Sequence, residues 1–93
     1  MKPIKLDRRM NGYGYFVYAV NFPYHKDVDQ FSKARQWCWE QWGPSVELDV
    51  WQRFPEFKNE HWAWERGEFN KSYRCRIFLT SEKEAQWFLL RWA

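Results

Sequence analysis

Residues 72–93 read SYRCRIFLTSEKEAQWFLLRWA, and this run contains a strand, a helix start and a helix face in succession. In its first half every second residue is apolar, which is the pattern of a strand buried on one face. Ser81 and Glu84 then form an S-x-x-E capping box, in which the hydroxyl accepts a bond from a first-turn N–H while the carboxylate reaches back. The apolar face of the helix that follows consists of Ala85, Phe88, Leu89 and Trp92.

The composition limits what this chain can be. Its 93 residues suffice for one domain, so we expect residues 1–93 to form a single domain. Aromatic residues make up 23% of the chain, more than so small a core can hold, and exposed rings that form a patch would indicate a binding face. The net charge of +3 favours an anionic partner slightly, but the chain lacks the dense basic stripe of a committed nucleic-acid binder.

The sequence also predicts the compartment. The stretch MKPIKLDRRM has no apolar signal region, and no apolar run approaches the roughly 18 residues that span a bilayer. We therefore expect a small soluble, cytoplasmic protein without membrane contact. The two cysteines, Cys38 and Cys75, are expected to be free thiols, because a secreted chain of this size usually carries more bridges.

The first third of the chain predicts a hairpin and a helix. Residues 3–9 and 13–21 are expected to pair as strands around the Asn-Gly pair at 11–12, because both of these residues tolerate positive φ. Asp27 is the expected N-cap of a helix over residues 28–42.

That helix has one continuous apolar face and one tryptophan that lies off it. Gly43-Pro44 is expected to end the helix. Trp37 projects to the far side, where an exposed ring could contact a partner. The apolar face consists of Phe31, Ala34, Cys38 and Trp42, with Val28 near its edge.

The order of predicted elements indicates the architecture. A strand over residues 45–53 and a short strand at Trp62–Glu65 complete the order β, β, α, β, short β, β, α. This order predicts an α+β fold, with an antiparallel sheet of four to five strands and two helices on one face. We expect it to be ferredoxin-like or a circular permutant, in which residues 3–9 replace the strand that usually follows the second helix.

If both helices cover one face, the other face of the sheet is open. Alternation places Val46, Leu48, Val50, Cys75, Ile77 and Leu79 on the helix side. The strand at 13–20 fits either orientation, but small Ala19 with Val17 favours the helix side and places Phe16 and Tyr18 outward. The predicted open face then consists of Phe16, Tyr18, Trp51, Arg53, Arg74, Arg76 and Phe78.

This aromatic and arginine-rich face permits two kinds of binding. Trp, Tyr and Arg are enriched at protein-binding hot spots, so the face or the Trp37 flank could dock a protein partner or a second copy in a homodimer. The alternative is single-stranded nucleic acid or a nucleotide, with bases stacked on the rings and phosphates on the arginines. Two observations weigh against the alternative: the strand lacks the RNP1 pattern, and Glu47 and Asp49 would repel phosphates.

Catalysis and metal binding have little support in the sequence. Neither His25 and His61 nor Cys38 and Cys75 have the spacing of metal ligands, and both cysteines fall on predicted core faces. A buried thiol without an electropositive neighbourhood stays protonated. The chain has no nucleophile elbow, P-loop or dinucleotide fingerprint. We therefore expect a non-enzymatic protein without cofactor or metal.

The run IFLTSEKEAQWFLLRWA, within residues 77–93, resembles the final stretch of small uncharacterised proteins from tailed bacteriophages. In both, an aromatic strand is followed by an acidic helix start and a terminal apolar stretch. The resemblance covers about a fifth of the chain and carries over no functional residues. It implies a phage-encoded, tryptophan-rich protein that binds a host or viral macromolecule in the cytoplasm of an infected cell.

Overall fold

The computed structural model describes residues 3–10, 12–48, 59–69 and 72–92. Within these ranges four strands and two helices follow one another. They are β1 (Pro3–Lys5), β2 (Tyr18–Pro23), α1 (Tyr24–Trp42), β3 (Trp62–Phe69), β4 (Ser72–Leu79) and α2 (Glu82–Trp92).

The strands form one antiparallel sheet in the order β1-β2-β4-β3. Since β2 and β3 both pair with β4, they run parallel to each other, and α1 crosses over between them. The prediction of an α+β fold with a four-stranded antiparallel sheet is confirmed. The order also places β1 beside β2, as the permutant prediction requires, while the ferredoxin-like assignment stays a prediction.

The N-terminal pairing is confirmed, but the predicted hairpin is only partly correct. Pro3 pairs with Val20 and Lys5 with Tyr18, which is the register of a hairpin centred on positions 11–12. The Leu6 N–H still donates to the Val17 carbonyl at 2.8 Å, but residues 7–10 and 12–16 leave the ladder and form turns. Gly12 has a φ of 87° and its carbonyl accepts from the Phe16 N–H at 2.9 Å. The strand predicted at 13–20 therefore begins only at Tyr18.

Helix α1 begins earlier than predicted and ends where predicted. It starts at Tyr24, directly after β2, so the expected N-cap at Asp27 is wrong. Gly43 has a φ of 94°, and its N–H donates to the Trp39 carbonyl at 2.9 Å. This positive φ explains why a glycine ends the helix.

The middle of the chain departs most from the prediction. Within the described residues 45–48 the expected strand is reduced to a single parallel bridge between Glu47 and Trp64, and residues 49–53 lie outside the described part. The strand predicted at Trp62–Glu65 is confirmed and continues to Phe69.

The C-terminal strand and helix follow the prediction. Helix α2 begins at Glu82, and the Ala85 N–H donates to the Ser81 carbonyl at 3.0 Å. The two residues of the predicted capping box contact each other through their side chains, because the Ser81 hydroxyl donates to the Glu84 carboxylate.

Both faces of the sheet are covered, each by its own core. The helix-side core joins both helices to the sheet through Val20, Phe22, Phe31, Ala34, Cys38, Trp62, Cys75, Ile77, Leu79, Ala85 and Phe88. The far-side core lies on the opposite face and consists of Leu6, Phe16, Ala19, Leu48, Ala63 and Phe78, with Met10 and Val46 packed against it. The helix-side placement is confirmed for Cys75, Ile77 and Leu79, and it is wrong for Val46 and Leu48.

Candidate functional site

The two phenylalanines of the sheet face that was predicted to be open are covered by other parts of the chain. Phe16 and Phe78 do lie on the face turned away from the helices, and their ring centroids are 5.9 Å apart. Phe78 is 0% exposed, however, because Leu6 and Leu48 from the flanking segments close over it. The prediction that these rings form a stacking surface is therefore wrong.

Arg76, the predicted phosphate ligand, is also buried. Its Nε donates to Asn21 Oδ1 at 2.7 Å, and its Nη1 lies 3.8 Å from Glu65 Oε1. The register places these three residues side by side on β2, β4 and β3, so they form one polar row across the sheet. A buried pair of this kind balances charge inside the protein. The prediction of an exposed arginine here is wrong.

The other predicted sheet-face residues are placed differently or lie outside the description. Tyr18 packs against the helix-side core and Ala19 belongs to the far-side core, so the predicted orientation of this strand is inverted. Adjacent residues of a strand point to opposite faces of the sheet. Both residues are apolar here, so their pattern does not show which of them faces the helices. Trp51, Arg53 and the side chain of Arg74 lie outside the described part.

Trp37 is not the exposed ring of α1. It packs edge-on against Trp42 at 5.4 Å and against Phe88 at 5.8 Å, between the two helices. The prediction failed because α2 covers this flank of α1. The exposed position belongs to Trp39, which is 52% exposed.

A cleft between the end of α1 and the outer surface of α2 contains Leu90, the most exposed large apolar side chain among the described residues. Its volume is about 490 Å³. Within it Trp87 is 52% and Leu90 is 80% exposed. We call it the tryptophan cleft; it is lined by Trp42, His61, Lys83, Glu84, Gln86, Trp87 and Leu90.

Hydrogen bonds and a stacked ring fix the walls of the tryptophan cleft. Trp87 Nε1 donates to Gln41 Oε1 at 3.3 Å, which ties the indole to α1. The His61 ring stacks on Trp42 with an interplanar angle of 23°. His61 Nδ1 also lies 3.1 Å from Glu84 Oε1. These contacts preorganise the cleft, which lowers the entropic cost of binding.

The polar side of the cleft does not form a catalytic relay. The Ser81 hydroxyl bonds to the Glu84 carboxylate, so it does not contact the imidazole as a nucleophile requires. Burial raises the pKa of Glu84, but the hydrogen bonds from Ser81 and His61 outweigh it, and the pKa lies below its ordinary value. The carboxylate is thus held ionised as a structural acceptor.

The two cysteines lie in the helix-side core. Burial raises the pKa of both the Cys38 and the Cys75 thiol, so both stay protonated. Within residues 3–10, 12–48, 59–69 and 72–92, no three histidine, cysteine or acidic side chains come together as metal ligands. In the same ranges no helix has the length and apolarity to cross a membrane.

The sequence contained a signal for the tryptophan cleft that the prediction did not use. Once Ala85, Phe88, Leu89 and Trp92 are assigned to the buried face of α2, the two remaining large apolar residues, Trp87 and Leu90, must point elsewhere. An apolar residue off the buried face of an amphipathic helix is the pattern that marks an exposed contact.

No protein-family model, curated protein or solved structure matches this chain. The resemblance of the C-terminal stretch to tailed-phage proteins therefore stays a prediction.

Proposed function

We propose that this chain is a small non-enzymatic binding module whose tryptophan cleft docks an apolar segment of a partner protein. The observation that carries the proposal is the joint exposure of Trp87 and Leu90 beside one cleft, at 52% and 80%. Singly exposed apolar residues are ordinary, whereas two on the rim of a cleft form a patch that association would cover.

The chemistry of the cleft fits a protein partner. Tryptophans anchor protein interfaces because they bury a large area at little entropic cost, and apolar pockets with a polar rim receive such anchors. Here Trp42 and Trp87 supply the apolar walls, and Lys83 and Gln86 supply the rim. If the chain is phage-encoded, as its C-terminal stretch implies, the partner is a host or viral protein; a second copy of the chain is the other candidate.

The alternative function, binding of single-stranded nucleic acid or a nucleotide on the sheet face, loses its support. It required Phe16, Phe78 and Arg76 at the surface, and all three are buried. We therefore expect no saturable, salt-dependent binding of labelled single-stranded RNA or DNA in fluorescence anisotropy.

The proposal is tested by affinity capture from a lysate with three proteins. These are the wild type, the double variant Trp87→Ala/Leu90→Ser, and the matched control Tyr13→Ala, which removes a similarly exposed ring that does not line the cleft. A protein retained by the wild type and the control but lost by the double variant is the expected result. Sedimentation velocity of the same proteins tests the homodimer.

Two results would contradict the proposal. One is capture of the same proteins, at the same yield, by the double variant. The other is loss of capture with Tyr13→Ala but not with the double variant. Because Trp87 and Leu90 lie on the surface, we expect the double variant to stay folded, and its thermal unfolding curve provides the check.

A further inference from the structure

A second cleft lies along α1 and contains an arginine stacked on a tryptophan. The Arg35 Cζ atom lies 3.6 Å from the centroid of the Trp64 ring and 5.5 Å from that of Phe31. Stacking occupies the flat face of a guanidinium and leaves its in-plane N–H donors for a ligand. We call this site, with a volume of about 560 Å³, the arginine cleft.

The Arg35 guanidinium makes no direct ion pair in the described part of the chain. Its buried Nε has no hydrogen-bond partner there. Burial and the nearby charge of Arg66 lower its pKa, against an opposing effect of Glu47. A guanidinium stays protonated near neutral pH even so, and a half-buried cation without a partner is stabilised by an anion.

The surrounding charges select the kind of anion. Glu40 lines the same cleft, held by a hydrogen bond from Gln36 at 3.3 Å, and Glu47 is close enough to act on Arg35. Both carboxylates repel an incoming anion, so a ligand with one negative charge is tolerated better there than a ligand with two. A carboxylate carries one charge, whereas a phosphate monoester carries about 1.5 to 2 at neutral pH.

The exposed Trp39 indole forms another wall of the arginine cleft and is 52% exposed. It offers a flat apolar surface beside the cation. We propose that the arginine cleft binds a peptide carboxylate, with Arg35 donating to the carboxylate and Trp39 packing against the residue that carries it. This inference does not depend on the tryptophan cleft, because different side chains carry it.

The test is an NMR titration of the wild-type protein with two matched probes. N-acetylphenylalanine supplies a ring and a carboxylate, and its amide lacks only the carboxylate. We expect saturable shifts of the Arg35 Nε–H and Trp39 indole resonances with the acid, and affinity weaker by about tenfold or more for the amide. Equal affinity for the acid and its amide would overturn the proposal, and so would the absence of a shift with both the acid and the peptide acetyl-Phe-Glu-amide.

Two further probes identify the source and the charge of the ligand. The peptide acetyl-Phe-Glu-amide presents a side-chain carboxylate instead of a main-chain one. Saturable binding of the acid or of this peptide at Arg35 supports the proposal. The tighter ligand of the two shows whether the site prefers a main-chain or a side-chain carboxylate. Tighter binding of phenyl phosphate than of both would contradict the choice of a carboxylate.

Variants assign the effect to Arg35. Arg35→Gln should abolish the carboxylate preference, whereas Arg91→Gln, which removes another arginine stacked on a tryptophan at 4.4 Å, should leave it intact. Retention of the preference by Arg35→Gln would overturn the assignment. If this variant fails to fold, the wild-type comparison of acid and amide decides the question without it.

Discussion

The far side of the sheet and the outer surface of the helices use similar residues for opposite purposes. On the far side, Phe16, Phe78 and Arg76 are buried and contact other parts of the same chain. On the helix surface, Trp87 and Leu90 are exposed beside a cleft. Both sets combine aromatic or apolar groups with nearby charge, so residue type alone does not distinguish a core from a binding surface.

The two regions differ in whether distant parts of the chain pack over them. The far side is covered by residues from parts of the chain distant from β4, namely Leu6, Met10, Phe16, Val46 and Leu48. Among the described residues nothing covers the tryptophan cleft. Exposure, rather than residue type, therefore identifies a functional surface in a small aromatic protein.

The largest effect is expected from Arg76→Ala on the closed side. The substitution removes the cation that faces the buried Glu65 carboxylate. Breaking a buried ion pair in this way lowers the free energy of unfolding by about 3–5 kcal/mol. Arg9→Ala is the matched control, because it breaks the exposed Arg9–Asp7 pair and should cost less than about 1 kcal/mol. Urea denaturation measures both, and equal small losses would mean that Arg76 is at the surface.

The two turn glycines provide a sharper test of the far-side cover. Gly12 and Gly14 both have positive φ, but a Cβ at Gly12 would lie 3.0 Å from the Phe78 ring, while nothing lies within 4 Å at Gly14. Gly12→Ala should cost about 2–4 kcal/mol, from backbone strain plus overpacking. Gly14→Ala should cost only the strain, about 1–2 kcal/mol. Equal costs in urea denaturation would show that the turn does not pack on Phe78.

The tryptophans of α1 provide the same contrast within one helix. Trp37→Ala removes two edge-on ring contacts between the helices and should cost about 2–3 kcal/mol. Trp39→Ala removes an exposed ring and should cost less than about 0.5 kcal/mol. Thermal unfolding of the two variants ranks them, and the reverse order would restore the helix face predicted from the sequence.

The smallest effect concerns Glu84 at the tryptophan cleft and depends on pH. Folding lowers the pKa of Glu84 from its ordinary value of 4.5. Its carboxylate therefore stabilises the folded protein above pH 4.5, and this stabilisation is lost as the pH falls through the lowered pKa. The wild type should therefore exceed Glu84→Gln by about 1 kcal/mol at neutral pH, and the gap should close below pH 4.5. Glu82→Gln, an exposed control in the same turn, should change stability little. A gap that widens in acid would contradict the assignment.

The sequence predicts those parts of the fold that depend on local pattern. The strand at Cys75–Leu79, the helix start at Ser81 and the buried face of α1 follow from periodicity and capping, and all three are present. The pairing of β1 with β2 also follows, since the register centres on positions 11–12.

The misses share one cause, which is packing between distant segments. The inverted face of Tyr18 and Ala19 reflects a strand with apolar residues on both sides, where alternation gives no answer. Burial of Phe78 depends on turns with no periodic pattern, and burial of Trp37 depends on how α2 lies against α1. The tryptophan cleft is the exception, because the positions of Trp87 and Leu90 off the buried face of α2 indicate it from the local pattern.

Hydroxyl-radical footprinting with mass spectrometry tests the central contrast most directly, because it reads side-chain exposure residue by residue. Each rate is divided by that of the same residue in the unfolded chain, which removes differences in intrinsic reactivity. We expect strong protection of Phe16, Phe78 and the buried control Trp62, and little protection of Trp39, Trp87 and Leu90. Phe78 oxidised as readily as Trp87 would contradict the account and return the binding surface to the sheet.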